Sequence, residues 1–124
     1  MRRRLFLVLL GSAAFGLAAG PVRAEAFMAL ATRTLRGDPA RLGWSSLRAG
    51  FRVQFPVAAS GRKFMDRQHD VMDAVERALE RARYDPNGGA QERERLARLI
   101  EDTVRRAAPR GTVSRVYDVW IEAR

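Results

Sequence analysis

Between residues 47 and 57 the chain alternates without a break. Leu47, Ala49, Phe51, Val53, Phe55 and Val57 are separated by Arg48, Gly50, Arg52, Gln54 and Pro56. Successive side chains of a strand point to opposite faces, so a period of two means one face turned to a core and one to water. Such a strand cannot stand alone: its apolar face needs a second layer against it. Arg52 and Gln54 fall on the side away from that layer. Pro56 has no N–H, so the strand either lies at a sheet edge or ends there.

Two amphipathic segments supply the second layer. After a loop over residues 58–63, a helix is expected over 64–83, with Val71, Met72, Val75, Ala78, Leu79 and Ala82 on one side at 100° per residue. Tyr84-Asp85-Pro86-Asn87-Gly88-Gly89 then stops it with several breakers in a row. A second helix is expected over 91–108, where Leu96, Leu99, Ile100, Thr103, Val104 and Ala107 share a face. Glu94 with Arg98, Glu101 with Arg105 and Asp102 with Arg106 place the acid four residues before the base. That order supports a helix by about 0.2–0.5 kcal/mol per pair. Pro109-Arg110-Gly111 ends it.

The segment 112–121 is rich in strand formers: Val113, Val116, Tyr117, Val119, Trp120 and Ile121. Strict alternation puts Tyr117, Val119 and Ile121 on one face and Val116 and Trp120 on the other. A strand apolar on both faces belongs inside a sheet. Upstream, residues 26–35 fit a helix face or a strand almost equally and are read as a strand, closed by Gly37-Asp38-Pro39. The order β–β–α–α–β, its first strand the least defined, implies a small α+β sandwich of two layers. One hundred residues bury roughly two-thirds of their extended-chain surface, enough for a core without metal or disulfide.

The first 24 residues have the three-part layout of a signal peptide, and 25–124 remain as a single domain. Arg2, Arg3 and Arg4 are followed by an apolar stretch over residues 5–19 and by small residues that offer a cut before Glu25 or before Phe27. Arg3-Arg4-Leu5-Phe6-Leu7 also reads as the heart of a twin-arginine signal, and both export routes stay open. The stretch is short for a membrane span, which needs about 20 apolar residues. Retained, it would act as an inner-membrane anchor; removed, it would release a periplasmic protein.

The formal charge of +9 shrinks to +5 over residues 25–124, because the first 24 residues hold four arginines and no acid. Acidic and basic residues alternate along both helices, which is not the one-sided basic face of a nucleic-acid binder. The absence of cysteine excludes disulfides, zinc-cysteine sites and thiol nucleophiles. The single histidine, His69, falls with Asp66, Asp70 and Asp73 opposite Val71 and Val75. This is read as a solvated face, since a metal site needs ligands converging from several elements. Ser60-Gly61-Arg62-Lys63 spells S-x-x-K without the S-D-N and K-T-G elements that give it meaning. No G-x-S-x-G, phosphate loop or dinucleotide fingerprint occurs. No catalytic, metal or cofactor-binding residue is therefore assigned, and no cofactor is expected. Tyr117 is read as core. Trp44, after Gly43 in a loop, is read as an exposed contact residue. With Arg48, Arg52, Arg115 and Trp120 it forms the set of candidate partner contacts.

The run from Gln68-His69-Asp70-Val71-Met72 through the helix with Leu96, Leu99 and Ile100 to Gly111-Thr112-Val113-Ser114-Arg115-Val116-Tyr117 resembles the periplasmic domain of FliL-type flagellar basal-body-associated proteins. The resemblance covers residues 47–122 and is most specific over Gly111–Tyr117. It implies a non-catalytic interaction module that works through a protein partner or self-association beside the flagellar stator, in a fold similar to stomatin-type domains. This chain departs from the family in its short apolar stretch, its lack of a polar linker and Glu122 where Gln is common. A soluble periplasmic binding protein for a small ligand or an anionic surface is the alternative.

Overall fold

The computed structural model describes residues 24–29 and 34–124. The expected signal segment, apart from its last residue, lies outside them. The chain is an α+β sandwich of two layers, a small antiparallel sheet against helices. In order it runs β1 (Ala24–Ala29), β2 (Leu35–Arg36), α1 (Pro39–Leu42), β3 (Ser46–Phe55), α2 (Ala58–Asp66), α3 (Gln68–Glu80), α4 (Gly89–Ala107) and β4 (Arg115–Ala123).

The alternating segment is the centre of the sheet. β3 pairs antiparallel with β1 and β2, end to end on one side, and with β4 on the other. Leu47, Ala49, Phe51, Val53 and Phe55 are buried against Phe64, Val71, Val75, Leu79, Leu96, Ile100 and Val104 from the helices. Each Val, Leu, Ile or Phe among them contributes about 1.5–3 kcal/mol on removal from water. Pro56 marks where β3 ends. Of the upstream strand expected over 26–35, residues 26–29 lie in β1 and Leu35 opens β2, while residues 30–33 lie outside the described residues. The Gly37-Asp38-Pro39 turn becomes the single-turn α1, where the Asp38 carboxylate accepts from the Ala40 N–H at 3.1 Å and Pro39 opens the helix.

Two expectations are corrected. The first helix starts earlier and is broken. Residues 58–63, expected as a loop, form most of α2, and Arg67, with φ −113° and ψ 15°, separates α2 from α3. Gly61 makes this tight turn after β3 feasible. A Cβ there would stand 3.0 Å from Phe55 Cδ2, whose ring packs on Phe64 at 5.2 Å between centroids. The second correction concerns β4, which is an edge strand rather than an interior one. Its two apolar faces arise from a bulge. The register runs Arg52↔Tyr117 and then Gly50↔Trp120, so Asp118 and Val119 together oppose Phe51. The extra residue resets the alternation. Val116, Val119, Ile121 and Ala123 face the helices, and Tyr117, Trp120 and Glu122 face away.

Asp118 carries this bulge in a left-handed conformation, φ 51°, the only non-glycine residue so placed among those described. Asp tolerates that region better than most residues, whereas a β-branched side chain there costs about 1–2 kcal/mol. Asp118→Val is therefore expected to lower stability by that amount in urea unfolding, and Asp118→Gly by less. Equal stabilities would mean that the backbone at this point is not held left-handed.

The second helix forms almost as the periodicity requires, as α4, with Leu96, Ile100, Thr103 and Val104 buried. Glu94–Arg98 and Glu101–Arg105 pair at 3.7 and 3.2 Å. The Thr103 hydroxyl donates to the Leu99 carbonyl one turn back, which satisfies it inside the core.

Candidate functional site

Because the helices cover one side of the sheet, the functional surface to consider is the other. The register sets its side chains in pairs: Arg48 opposite Glu122, Gly50 opposite Trp120, Arg52 opposite Tyr117, and Gln54 opposite Arg115. Arg48 approaches Glu122 at 3.4 Å, and Arg52 Nε approaches Asp118 Oδ2 at 3.4 Å. The Arg115 guanidinium stands 4.6 Å above the Tyr117 ring centre, a cation–π contact. The Trp120 indole packs over Gly50. A Cβ on Gly50 would meet the indole Nε1 at 2.5 Å, so only glycine lets the ring settle onto the strand. Two aromatic rings thus lie among three guanidinium groups and two carboxylates on one solvent-facing surface.

Four of the five expected contact residues come together here: Arg48, Arg52, Arg115 and Trp120. Trp44 does not. It is fully buried, and its indole N–H donates to the Ala82 carbonyl at 2.8 Å. The reason is that Gly43 ends α1 and turns the chain inward, so the loop position that looked exposed points into the core. Tyr117, expected in the core, is half-buried on the outer face because the bulge turns it there. Sequence reasoning also missed Gly50 and Asp118. An isolated glycine within a strand pattern, and an acid in the middle of an apolar one, were the available signals.

Comparison with protein-family models, characterised proteins and solved structures gives no match. The reading of this surface therefore rests on its chemistry.

His69 and its neighbours Asp66, Asp70 and Asp73 are exposed on α2 and α3. No group of three His, Asp or Glu residues able to hold a metal ion occurs among the described residues. Ser60 and Lys63 lie within α2, one turn apart, and Lys63 is exposed.

A second concave feature lies at the end of the sheet where β4 closes against Ser46. It encloses about 550 Å³, and Arg48, Tyr84, Arg93, Glu122 and Arg124 line it. Burial pushes the Tyr84 phenol above its usual pKa, against the nearby Arg93 cation. A polar chain ties the α3–α4 connection down. Arg95 donates to both Glu92 carboxylate oxygens, at 2.7 and 3.2 Å, and to the Arg83 carbonyl; Arg83 donates to the Arg41 carbonyl at 2.6 Å.

The Arg95 hydrogen bonds hold the Glu92 carboxyl below its ordinary pKa. A lowered carboxyl pKa gives stability that is in place above the unfolded-state value and is lost as pH falls through the folded one. Wild-type protein should thus lose stability through the carboxylate range more steeply than Glu92→Gln. Urea midpoints followed from neutral to acid pH check this, and parallel curves would remove the pair from the account.

Proposed function

We propose that the protein is a non-catalytic interaction module of the bacterial cell envelope. Its role is similar to that of the FliL-type periplasmic domain, and it contacts its partner through the outer face of the sheet. The observation that carries this reading is the Trp120–Gly50 platform set among Arg48, Arg52 and Arg115. Half-buried Trp and Tyr with adjacent Arg are the side chains that protein contacts favour, because they offer large rigid area with a polar handle. Export, suggested by the layout of residues 1–24, fits a role outside the cytoplasm.

The test has two parts. Deleting the gene in its host should impair swimming, and the tagged chain should recover stator proteins from the envelope. Trp120→Ala together with Arg52→Glu should abolish recovery while leaving the fold intact. Normal swimming with no stator recovered would overturn the flagellar role.

The three guanidinium groups on one face also favour a second reading, an anionic envelope surface as the partner. Binding to anionic vesicles, absent with neutral ones and falling as salt rises, would support it. Arg48, Arg52 and Arg115 changed together to Gln should then abolish binding. Binding unchanged by that substitution or by salt would remove it.

A further inference from the structure

The cleft at the end of the sheet has a chemistry that the outer face does not use. Its 550 Å³ lies within the range of about 300–1,000 Å³ typical of small-molecule sites. The guanidinium groups of Arg48, Arg93 and Arg124 line it against one side-chain carboxylate, Glu122. Arg48 already engages Glu122 at 3.4 Å. Arg93 and Arg124 have no ion pair among the described residues.

Three segments far apart in the chain bring these groups together, and backbone hydrogen bonds hold each in place. Arg124 follows β4; its N–H donates to the Ser46 carbonyl at 3.0 Å, and its carbonyl accepts from the Ser45 N–H at 2.6 Å. Arg93 stands near the start of α4. Tyr84 lies in the α3–α4 connection, fixed by its N–H to the Leu42 carbonyl at 2.8 Å.

Tyr84 adds an independent observation. It is only 5 % exposed, and a buried phenol hydroxyl normally has a hydrogen-bond partner. Among the described residues its hydroxyl has none. The cleft that it lines is the place where a ligand can supply one. Burial keeps the phenol protonated at neutral pH, so it is a donor there, close enough to feel the Arg93 cation. A hydroxyl donor beside forked guanidinium N–H groups recognises anionic oxygens. A monoanion would leave one of the two guanidinium groups unmatched, whereas a dianion matches both. Pro86 and Ile121 complete the wall with apolar surface, which suits an organic body rather than a bare inorganic ion.

We infer that this cleft binds a small soluble organic dianion, a phosphate monoester or a dicarboxylate, through Arg93, Arg124 and the Tyr84 hydroxyl. The site goes beyond the outer-face reading and does not depend on it. Trp120, Arg52 and Arg115 do not line the cleft, so stator or vesicle contact there stands or falls separately.

Isothermal titration of the full chain at low salt, with glycerol phosphate and with succinate as probes, tests this. At least one should bind saturably at one site, and acetate should bind at least about tenfold more weakly. Arg93→Gln and Arg124→Gln should each weaken binding about tenfold, the loss of one charge-assisted contact. Tyr84→Phe, which keeps the ring, should weaken it about threefold to tenfold. Arg106→Gln removes the same charge about 20 Å along α4 from Arg93 and should leave binding unchanged. Circular dichroism confirms that each variant folds. Absence of saturable binding by both probes would overturn the inference. So would equal losses in Arg93→Gln and Arg106→Gln, which would mean a general charge effect. Vesicles of phosphatidate that bind through Arg93 and Arg124 while both soluble probes fail would move the ligand to the membrane and overturn it as well.

Discussion

Trp44→Ala should cost about 3–5 kcal/mol, the range for deleting a large aromatic side chain from a packed core. Small domains have about 5–15 kcal/mol in all, so this single change removes a large share of the stability. Trp44 has no solvent exposure. The space around it is closed: a Cβ on Gly37 would lie 2.7 Å from the indole Cζ3, so even the neighbouring backbone is packed onto the ring. Two effects add. The cavity left by the indole should collapse only in part, because the backbone at Gly37 packs directly on the ring. The Ala82 carbonyl, which accepts the indole N–H at 2.8 Å, loses its partner. Trp44→Phe separates them. It keeps most of the apolar volume and removes the donor, at about 1–3 kcal/mol. Urea unfolding of the three proteins gives the comparison. Trp120→Ala, on the outer face, should cost much less. In the native chain a soluble quencher should reach Trp120 and not Trp44. A Trp44→Ala midpoint equal to wild type would show that the indole is not a core residue.

That contrast between the two tryptophans shows how far the fold could be read from the chain. The period-two run of 47–57 and the period-3.6 run in α4 were legible because each is a strong pattern confirmed along its length by burial. The two-layer α+β architecture follows from those patterns. What could not be read depends on single backbone angles. Gly43, at φ 88°, decides whether Trp44 turns in or out. Asp118, at φ 51°, decides whether Tyr117 and Trp120 share a face. No periodicity reports such a switch, because it breaks the period. The sequence marks Arg48, Arg52 and Arg115 as contact candidates on strands, and places only Arg52 on the side away from the core. The pairing that sets Arg115 over Tyr117 and Arg52 beside Asp118 needs the bulged register, which arises only when β3 and β4 meet.

Gly43→Ala is expected to be almost as damaging as loss of the Trp44 indole, at about 2–5 kcal/mol, although it adds one methyl group. Two penalties coincide. At φ 88° an L side chain costs about 1–2 kcal/mol. The added Cβ would also stand 2.6 Å from the Tyr84 carbonyl oxygen, a backbone atom that cannot rotate away. To make room, the segment at Tyr84 must move off α1. That move strains the hydrogen bond from the Tyr84 N–H to the Leu42 carbonyl, 2.8 Å, and forced repacking of this kind costs about 1–3 kcal/mol. Gly111→Ala is the matching control. Gly111 has nearly the same angle, φ 76°, with nothing within 4 Å of its Cβ position, so it carries the backbone penalty alone. The difference between the two variants therefore measures the contact between α1 and the α3–α4 connection. Melting temperatures should separate by roughly 5–15 °C, since about 1 kcal/mol shifts a domain of this size by about 4–8 °C. Equal losses would mean that the chain at Tyr84 yields freely. The same comparison bears on function. Tyr84 and Arg93 line the end cleft together with Arg48 and Glu122, whereas Trp120, Arg52 and Arg115 do not line it. Gly43→Ala should thus disturb the Tyr84 wall of the cleft while Trp120, Arg52 and Arg115 keep their geometry. A partner bound through those three residues should then still be bound by the folded fraction of this variant.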